Sequence, residues 1–136
     1  MAKKITVIDG QGGKIGKIII ETVKSEYPSC EVTAIGTNSI ATAAMLKAGA
    51  DKGATGENPV VVACRDADLI IGPVGILAAD SLLGEVTPKM AIAVGQSNAV
   101  KLLIPVSKCQ TVIVGAAGLS PADIPKTLSA ELVKYM

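Results

Sequence analysis

The chain contains no histidine, tryptophan or phenylalanine, and its only aromatic residues are Tyr27 and Tyr135. Without histidine it lacks the commonest general base and the commonest metal ligand, so a Ser-His or Cys-His couple is excluded. With two tyrosines it has no platform on which successive bases could stack. A formal net charge of +1 leaves no basic face to neutralise phosphates, which argues against a nucleic-acid partner. Long apolar runs are also missing. The best stretch, Leu69 to Ala79, is broken by Gly72, Pro73 and Gly75 and stopped by Asp80, so no membrane span is expected. Met1-Ala2-Lys3-Lys4 leads directly into a strand pattern and does not read as a signal peptide. Cysteine is scarce: Cys30, Cys64 and Cys109 are widely spaced and odd in number, the usage of small buried hydrophobes in a reducing cytoplasm. A thiol at Cys109 beside Lys108 is the one that local charge could activate.

What the chain has in surplus is apolar residues, 49% of 136 with a mean hydropathy of +0.49. A sheet buried on both faces and a subunit interface account for that surplus, and a homo-oligomer, most simply a dimer, is expected. The length suits one domain, residues 1–136. Ile5 to Ile8 reads as a strand and Gly13 to Glu26 as a helix with Ile15, Ile18, Ile19, Thr22 and Val23 on its apolar face. Glu31 to Ile35 is a second strand, followed by a helix capped by Asn38 or Ser39 and stopped at Gly49. A short edge strand within Ala50 to Gly56 and a helix from Asn58-Pro59 to Cys64 come next. Further expected elements are a strand at Asp68 to Ile71, a short helix at Ile76 to Leu83 and a strand at Lys89 to Val94. Val100 to Pro105 and Thr111 to Val114 read as a hairpin about Ser107-Lys108, and Pro121 to Tyr135 as a closing helix. The alternation predicts an α/β, Rossmann-like three-layer sandwich on a mostly parallel sheet, with an antiparallel hairpin near the C-terminus.

Five apolar runs finish on glycine, at Gly10, Gly36, Gly72, Gly95 and Gly115. In a parallel sheet such glycines line the carboxyl edge, where open α/β proteins bind ligands and where a missing Cβ admits a close approach. The plainer reading is that glycine ends strands by permitting a turn. The residues beside these glycines are Gln11, Thr37, Asn38, Ser39, Gln96, Ser97 and Asn98, with Lys14 and Lys101 nearby. Neutral hydrogen-bonders with two cations suit phosphate, sugar or amide groups held at helix N-termini. The candidate ligand-binding residues are therefore Asp9, Gly10, Gln11, Gly12, Gly13, Lys14 and Ile15; Gly36, Thr37, Asn38 and Ser39; Gly72, Pro73, Val74 and Gly75; and Gly95, Gln96 and Ser97. No paired carboxylates stand at acid/base spacing. Asp66 and Asp68 shape the turn into their strand. Asp9 either accepts from loop N–H groups or holds a metal.

Against the dinucleotide fingerprint, Gly10 and Gly12 fit the first two positions, but Ile15 stands where the third glycine belongs and Gly16 follows one residue late. The acid that holds ribose hydroxyls after the second strand is replaced by Gly36-Thr37-Asn38-Ser39. Thr37 and Ser39 suit a ribose phosphate, yet no arginine accompanies them. A P-loop fails more plainly, with Gln11 in place of its first glycine and Ile18 in place of its Ser or Thr.

Asp9-Gly-Gln-Gly-Gly13 with Gly16, Thr55-Gly-Glu-Asn58, Asp68-Leu-Ile-Ile-Gly-Pro-Val-Gly-Ile76, Gly84-Glu85 and Lys101-Leu-Leu-Ile-Pro105 resemble, over nearly the full chain, the short bacterial proteins of domain of unknown function family 3842. The resemblance implies a bacterial, cytoplasmic, Rossmann-like protein and no particular activity. Ala67 to Ile71 with its Gly-Pro loop is also similar to the fourth strand of many dehydrogenases, whose next loop borders the nicotinamide. Three functions fit: a protein binding a nucleotide or another phosphate-bearing metabolite (a dinucleotide among them), a small NAD(P)-linked oxidoreductase or transferase completed by a neighbouring subunit, and a non-catalytic interaction subunit.

Overall fold

A computed structural model describes residues 3–106 and 111–136. Strands β1 (Lys4–Asp9), β2 (Glu31–Gly36), β3 (Lys52–Thr55), β4 (Leu69–Pro73) and β5 (Val100–Ile104) alternate with helices α1 (Lys14–Glu26), α2 (Ser39–Lys47), α3 (Glu57–Ala63), α4 (Pro88–Gln96) and α5 (Ile124–Leu132). The sheet order is β3-β2-β1-β4-β5, and every pairing is parallel. This is the Rossmann order, with the direction of winding reversing between β1 and β4.

Side chains alternate across a strand, so β1 divides its residues between two cores. Ile5 and Val7 join Val32, Ala34, Leu69 and Ile71 beneath α1, α2 and α5, which contribute Ile19, Ile20, Val23, Met45, Leu128 and Leu132. On the other face Ile8, Ile35 and Ile70 pack against Val60 of α3 and Met90 and Val94 of α4. Each such isoleucine or leucine, taken out of water, contributes about 1.5–3 kcal/mol before entropy is counted. The three-layer arrangement is that expected from strands apolar on both sides.

Local chemistry sets the helix ends. Asn38 caps α2 by accepting from the Ala41 N–H, and Thr87 caps α4 by accepting from the Met90 N–H, with Pro88 in the first turn. The α4 cap corrects one expectation. Lys89 to Val94 is helix, not strand: Met90 and Val94, four residues apart, are buried, while Ile92 between them is 54% exposed, the pattern of a helix face. The apolar run hid the period of 3.6.

Two further expectations change. Ile76 to Leu83 contains only a 3-10 turn, Val74–Leu77, and then a series of tight turns. Among the described residues no hairpin forms at the C-terminal end, because β5 pairs parallel with β4 and Thr111 to Val114 is irregular. Leu69 and Val100 start these strands side by side, and the crossover through α4 makes a parallel neighbour of what reads locally as one arm of a hairpin. Ser107, Lys108 and Cys109 lie outside the described residues.

Candidate functional site

The carboxyl ends of β1, β2 and β4 bring together most of the expected ligand-binding residues. The Gly13 N–H donates to the Gly10 carbonyl at 2.9 Å, closing a turn in which Gln11 and Gly13 have φ of 49° and 75°. Asp9 tightens this turn from below. Its Oδ1 accepts from the Gly10 N–H at 2.8 Å and its Oδ2 from the Gly16 N–H at 2.7 Å, so the carboxylate satisfies a free N–H in the first turn of α1. Burial raises the Asp9 pKa, and the N–H groups of Gly16 and Gly10 oppose that rise. Asp9 therefore acts on the loop, as one of the two expectations had it.

The second strand-end loop is tied to the first. The Thr37 N–H donates to the Asp9 carbonyl at 3.0 Å, and the Asn38 Nδ2 donates to the Gln11 carbonyl at 2.9 Å. A residue missed among the sequence candidates joins them. Oε1 of Glu85 accepts from the Gln11 N–H at 2.8 Å, from Thr37 Oγ1 at 2.7 Å and from Asn38 Nδ2 at 2.8 Å. Partial burial works to raise the Glu85 pKa, but the bonds from Thr37, Gln11 and Asn38 outweigh it, and the carboxyl titrates below its ordinary 4.5. Glu85 is thus ionised at neutral pH. No described residue donates to its Oε2.

Glu85 is delivered by a turn-rich segment, residues 78–86, in which Asp80, Leu82 and Leu83 have φ of 66°, 55° and 57°. Left-handed backbone costs an L-residue of order 1–2 kcal/mol. Packing of Leu82 against the α3–α4 core and the three bonds to Glu85 offset it. Only the Gly84-Glu85 pair in the sequence hinted at this segment. The contact spans 74 residues between Gln11 and Glu85, beyond the reach of any periodicity.

Most glycines of this edge face the chain itself. A Cβ on Gly10 would meet Thr37 Oγ1 at 2.5 Å and Glu85 Oε1 at 2.9 Å, and one on Gly72 the Ile8 carbonyl oxygen. On Gly13 a Cβ would meet Ala41 Cα at 2.9 Å, and on Gly75 Ser81 Oγ at 3.1 Å. Gly16 and Gly36 are hemmed in by Met45 and Thr42. Gly12 differs: it is exposed, its φ lies outside the left-handed range, and a Cβ there would meet nothing within 4 Å. Lys14 beside it is also exposed.

Gly95, Gln96 and Ser97 do not belong to this site. They form the C-terminal end of α4, which precedes a parallel strand and therefore lies at the opposite, amino edge of the sheet. There Ser97 Oγ donates to the Cys64 carbonyl at 2.7 Å, and Lys101 Nζ donates to the carbonyls of Gly95 and Ser97, a cation satisfying a helix C-terminus. Gly115 likewise closes no strand. Asp66 and Asp68 tie down the start of β1 through the Lys4 Nζ and Lys4 N–H, a link to the neighbouring strand instead of the expected bonds within the turn. Cys30 and Cys64 are free and buried, and burial pushes the Cys64 thiol up to about 11. Among the described residues no three His, Cys, Asp or Glu side chains are grouped to hold a metal ion, and no helix is long and apolar enough to cross a membrane.

With this geometry in place, comparison with known proteins supplies the family. Residues 4–134 match the family described as Domain of unknown function (DUF3842). The chain belongs to that family. No curated protein matches it. Among solved structures, it is similar to the dodecameric FMN-dependent Ubix-like decarboxylase from Escherichia coli O157:H7. The two share 16% identity at a TM-score of 0.46, over 98% of this chain and 76% of that one. A likeness of that size bears on neither ligand nor assembly.

Proposed function

We propose that this protein binds a nucleotide or another phosphate-bearing metabolite at the carboxyl edge of its sheet, with the phosphate against the start of α1. Gly12 carries the reading. The other glycines of that edge are accounted for by internal contacts or by φ, whereas Gly12 is glycine where neither the backbone nor a neighbour demands it. It stands at the N-terminal end of a 13-residue helix, where N–H groups and the helix dipole favour an anion, and Lys14 adds a cation. Binding is favoured over chemistry. Both Asp9 oxygens are engaged, and the Cys64 sulfur is held as a thiol, so neither supplies a ready base or nucleophile.

A thermal-shift screen with NAD, NADP, FAD, ATP, S-adenosylmethionine and coenzyme A tests this. Ligand at a hundred times its Kd adds roughly 2.7 kcal/mol to stability, a readily measured rise in Tm. Gly12→Val is expected to leave the unliganded Tm nearly unchanged and to abolish the shift. No shift from any compound at millimolar concentration, or a shift that survives the valine, would remove the proposal.

A cytoplasmic homo-oligomer, with a dimer as its simplest form, belongs to the same proposal. Its support is the uncharged stretch from Thr111 to Leu119, in which Val112 and Val114 are 82% and 95% exposed. Neighbouring apolar side chains left in water in this way mark association surfaces. Sedimentation equilibrium should give a mass above that of one chain, and a strictly monomeric protein would count against it.

A further inference from the structure

We infer that Glu85 is the acceptor for the sugar hydroxyls of the ligand, so that the site takes a ribosyl phosphate whose 2′,3′-diol is free. This deepens the phosphate-binding reading and rests on it. In a Rossmann site an acid at the end of the second strand accepts from the ribose hydroxyls. Here that position holds Gly36-Thr37-Asn38-Ser39, which has no acid. The fold supplies one from elsewhere in the chain: Thr37 and Asn38, the residues at the end of β2, donate to the Glu85 carboxylate.

The two oxygens of that carboxylate have different employment. Oε1 is saturated by three donors, and together they fix the carboxylate above Gly10 and beside the Gln11-Gly12 turn. Oε2 receives no hydrogen bond from a described residue, and the side chain is half-buried rather than swept by solvent. An anchored anion with one oxygen free is an acceptor prepared for hydroxyl donors, and charge-assisted bonds of this kind are the strong ones. The same arrangement disfavours a ribose 2′-phosphate, because a second anion would face the carboxylate. The chain's one arginine, Arg65, lies with Gln96 and Ser97 around a separate cavity at the amino edge. No guanidinium is therefore at hand to reverse that preference.

Isothermal titration with pyrophosphate, ADP and 2′,3′-dideoxy-ADP tests the inference on the wild-type chain and on Glu85→Gln. Glutamine keeps an oxygen for the Gln11, Thr37 and Asn38 donors, so the fold should persist, but it places an NH2 where the diol needs an acceptor. Wild type should bind ADP about tenfold or more tightly than the dideoxy compound, the scale of a hydrogen bond to a charged group. Glu85→Gln should weaken ADP to the dideoxy level and leave pyrophosphate unchanged. Equal affinity of wild type for ADP and dideoxy-ADP, with pyrophosphate still bound, would overturn the role of Glu85 while sparing the phosphate site. Tighter pyrophosphate binding by Glu85→Gln would overturn it too, since the carboxylate would then be a plug in the phosphate position. If wild type binds none of the three at millimolar concentration, this inference fails, and the phosphate-binding reading fails with it when the six-compound screen is also blank. The ligand-side comparison is made on wild-type protein, so it holds even if the variant is poorly folded.

Discussion

Gly10 and Gly95 each close an apolar run, yet they sit at opposite edges of the sheet. Gly10 follows a buried strand, and the chain folds back over it, with Thr37, Leu82 and Glu85 all within 3 Å of where a Cβ would be. Gly95 lies in the last turn of α4, and its nearest neighbour would be Leu77 Cδ2 at 3.9 Å. The difference teaches that a glycine reports a close approach only when something approaches it. At the carboxyl edge most of the glycines are pressed against a neighbouring loop or helix or hold a left-handed φ, and Gly12 does neither. At the amino edge Gly95 merely lies near a helix end that Lys101 completes.

Substituting alanine on the two edges should make the contrast quantitative, and it carries the largest effect. Gly13→Ala places a side chain on a residue with φ of 75° and against the Ala41 backbone at 2.9 Å. Left-handed strain and overpacking together should cost about 2–4 kcal/mol in urea denaturation. Gly95→Ala should be neutral or stabilising by up to about 1 kcal/mol, because helical glycine is disfavoured and the space is free. A comparable loss at both positions would break the distinction between the edges.

A smaller effect, on pH dependence, sharpens the description of the carboxyl edge itself. Glu85 titrates below its ordinary 4.5, so the stability it lends is present at neutral pH and is lost as pH falls from about that value through its depressed folded pKa. Asp9 titrates above its ordinary 3.8, burial being the main cause, and so acts in the opposite sense. The cost of ionising it is absent below that value and complete once pH has risen past its raised folded pKa. The stability difference between wild type and Glu85→Gln should therefore shrink on acidification, whereas the difference between wild type and Asp9→Asn should move in favour of wild type. Denaturation between pH 7 and pH 3.5 would show both, and parallel curves for the two variants would mean that the carboxylates share one environment.

Much of this molecule was legible in its residues. The strands Ile5–Ile8, Glu31–Ile35 and Asp68–Ile71, the helices that follow the first two, the cap at Asn38 and the first helical turn that holds Pro59 are all local patterns, and a turn or a cap is decided by atoms a few residues away. The same holds for the Gly10–Gly16 turn and for Asp9 beneath it. Patterns of equal strength misled at Lys89–Val94 and Thr111–Val114. A short apolar run lacks a distinguishable period, and whether Val100 to Ile104 gains a parallel or an antiparallel neighbour depends on the path taken by the intervening chain.

By itself, then, the sequence determined the class of fold, the buried strands, the glycine turn and the lack of histidine chemistry, because each follows from composition or from neighbours along the chain. Only the tertiary structure decided that Gly95 to Ser97 leave the site and that Glu85 enters it. Those outcomes depend on contacts such as the one between Gln11 and Glu85, 74 residues apart, which form only when the crossover after β4 returns the chain over the ends of β1 and β2.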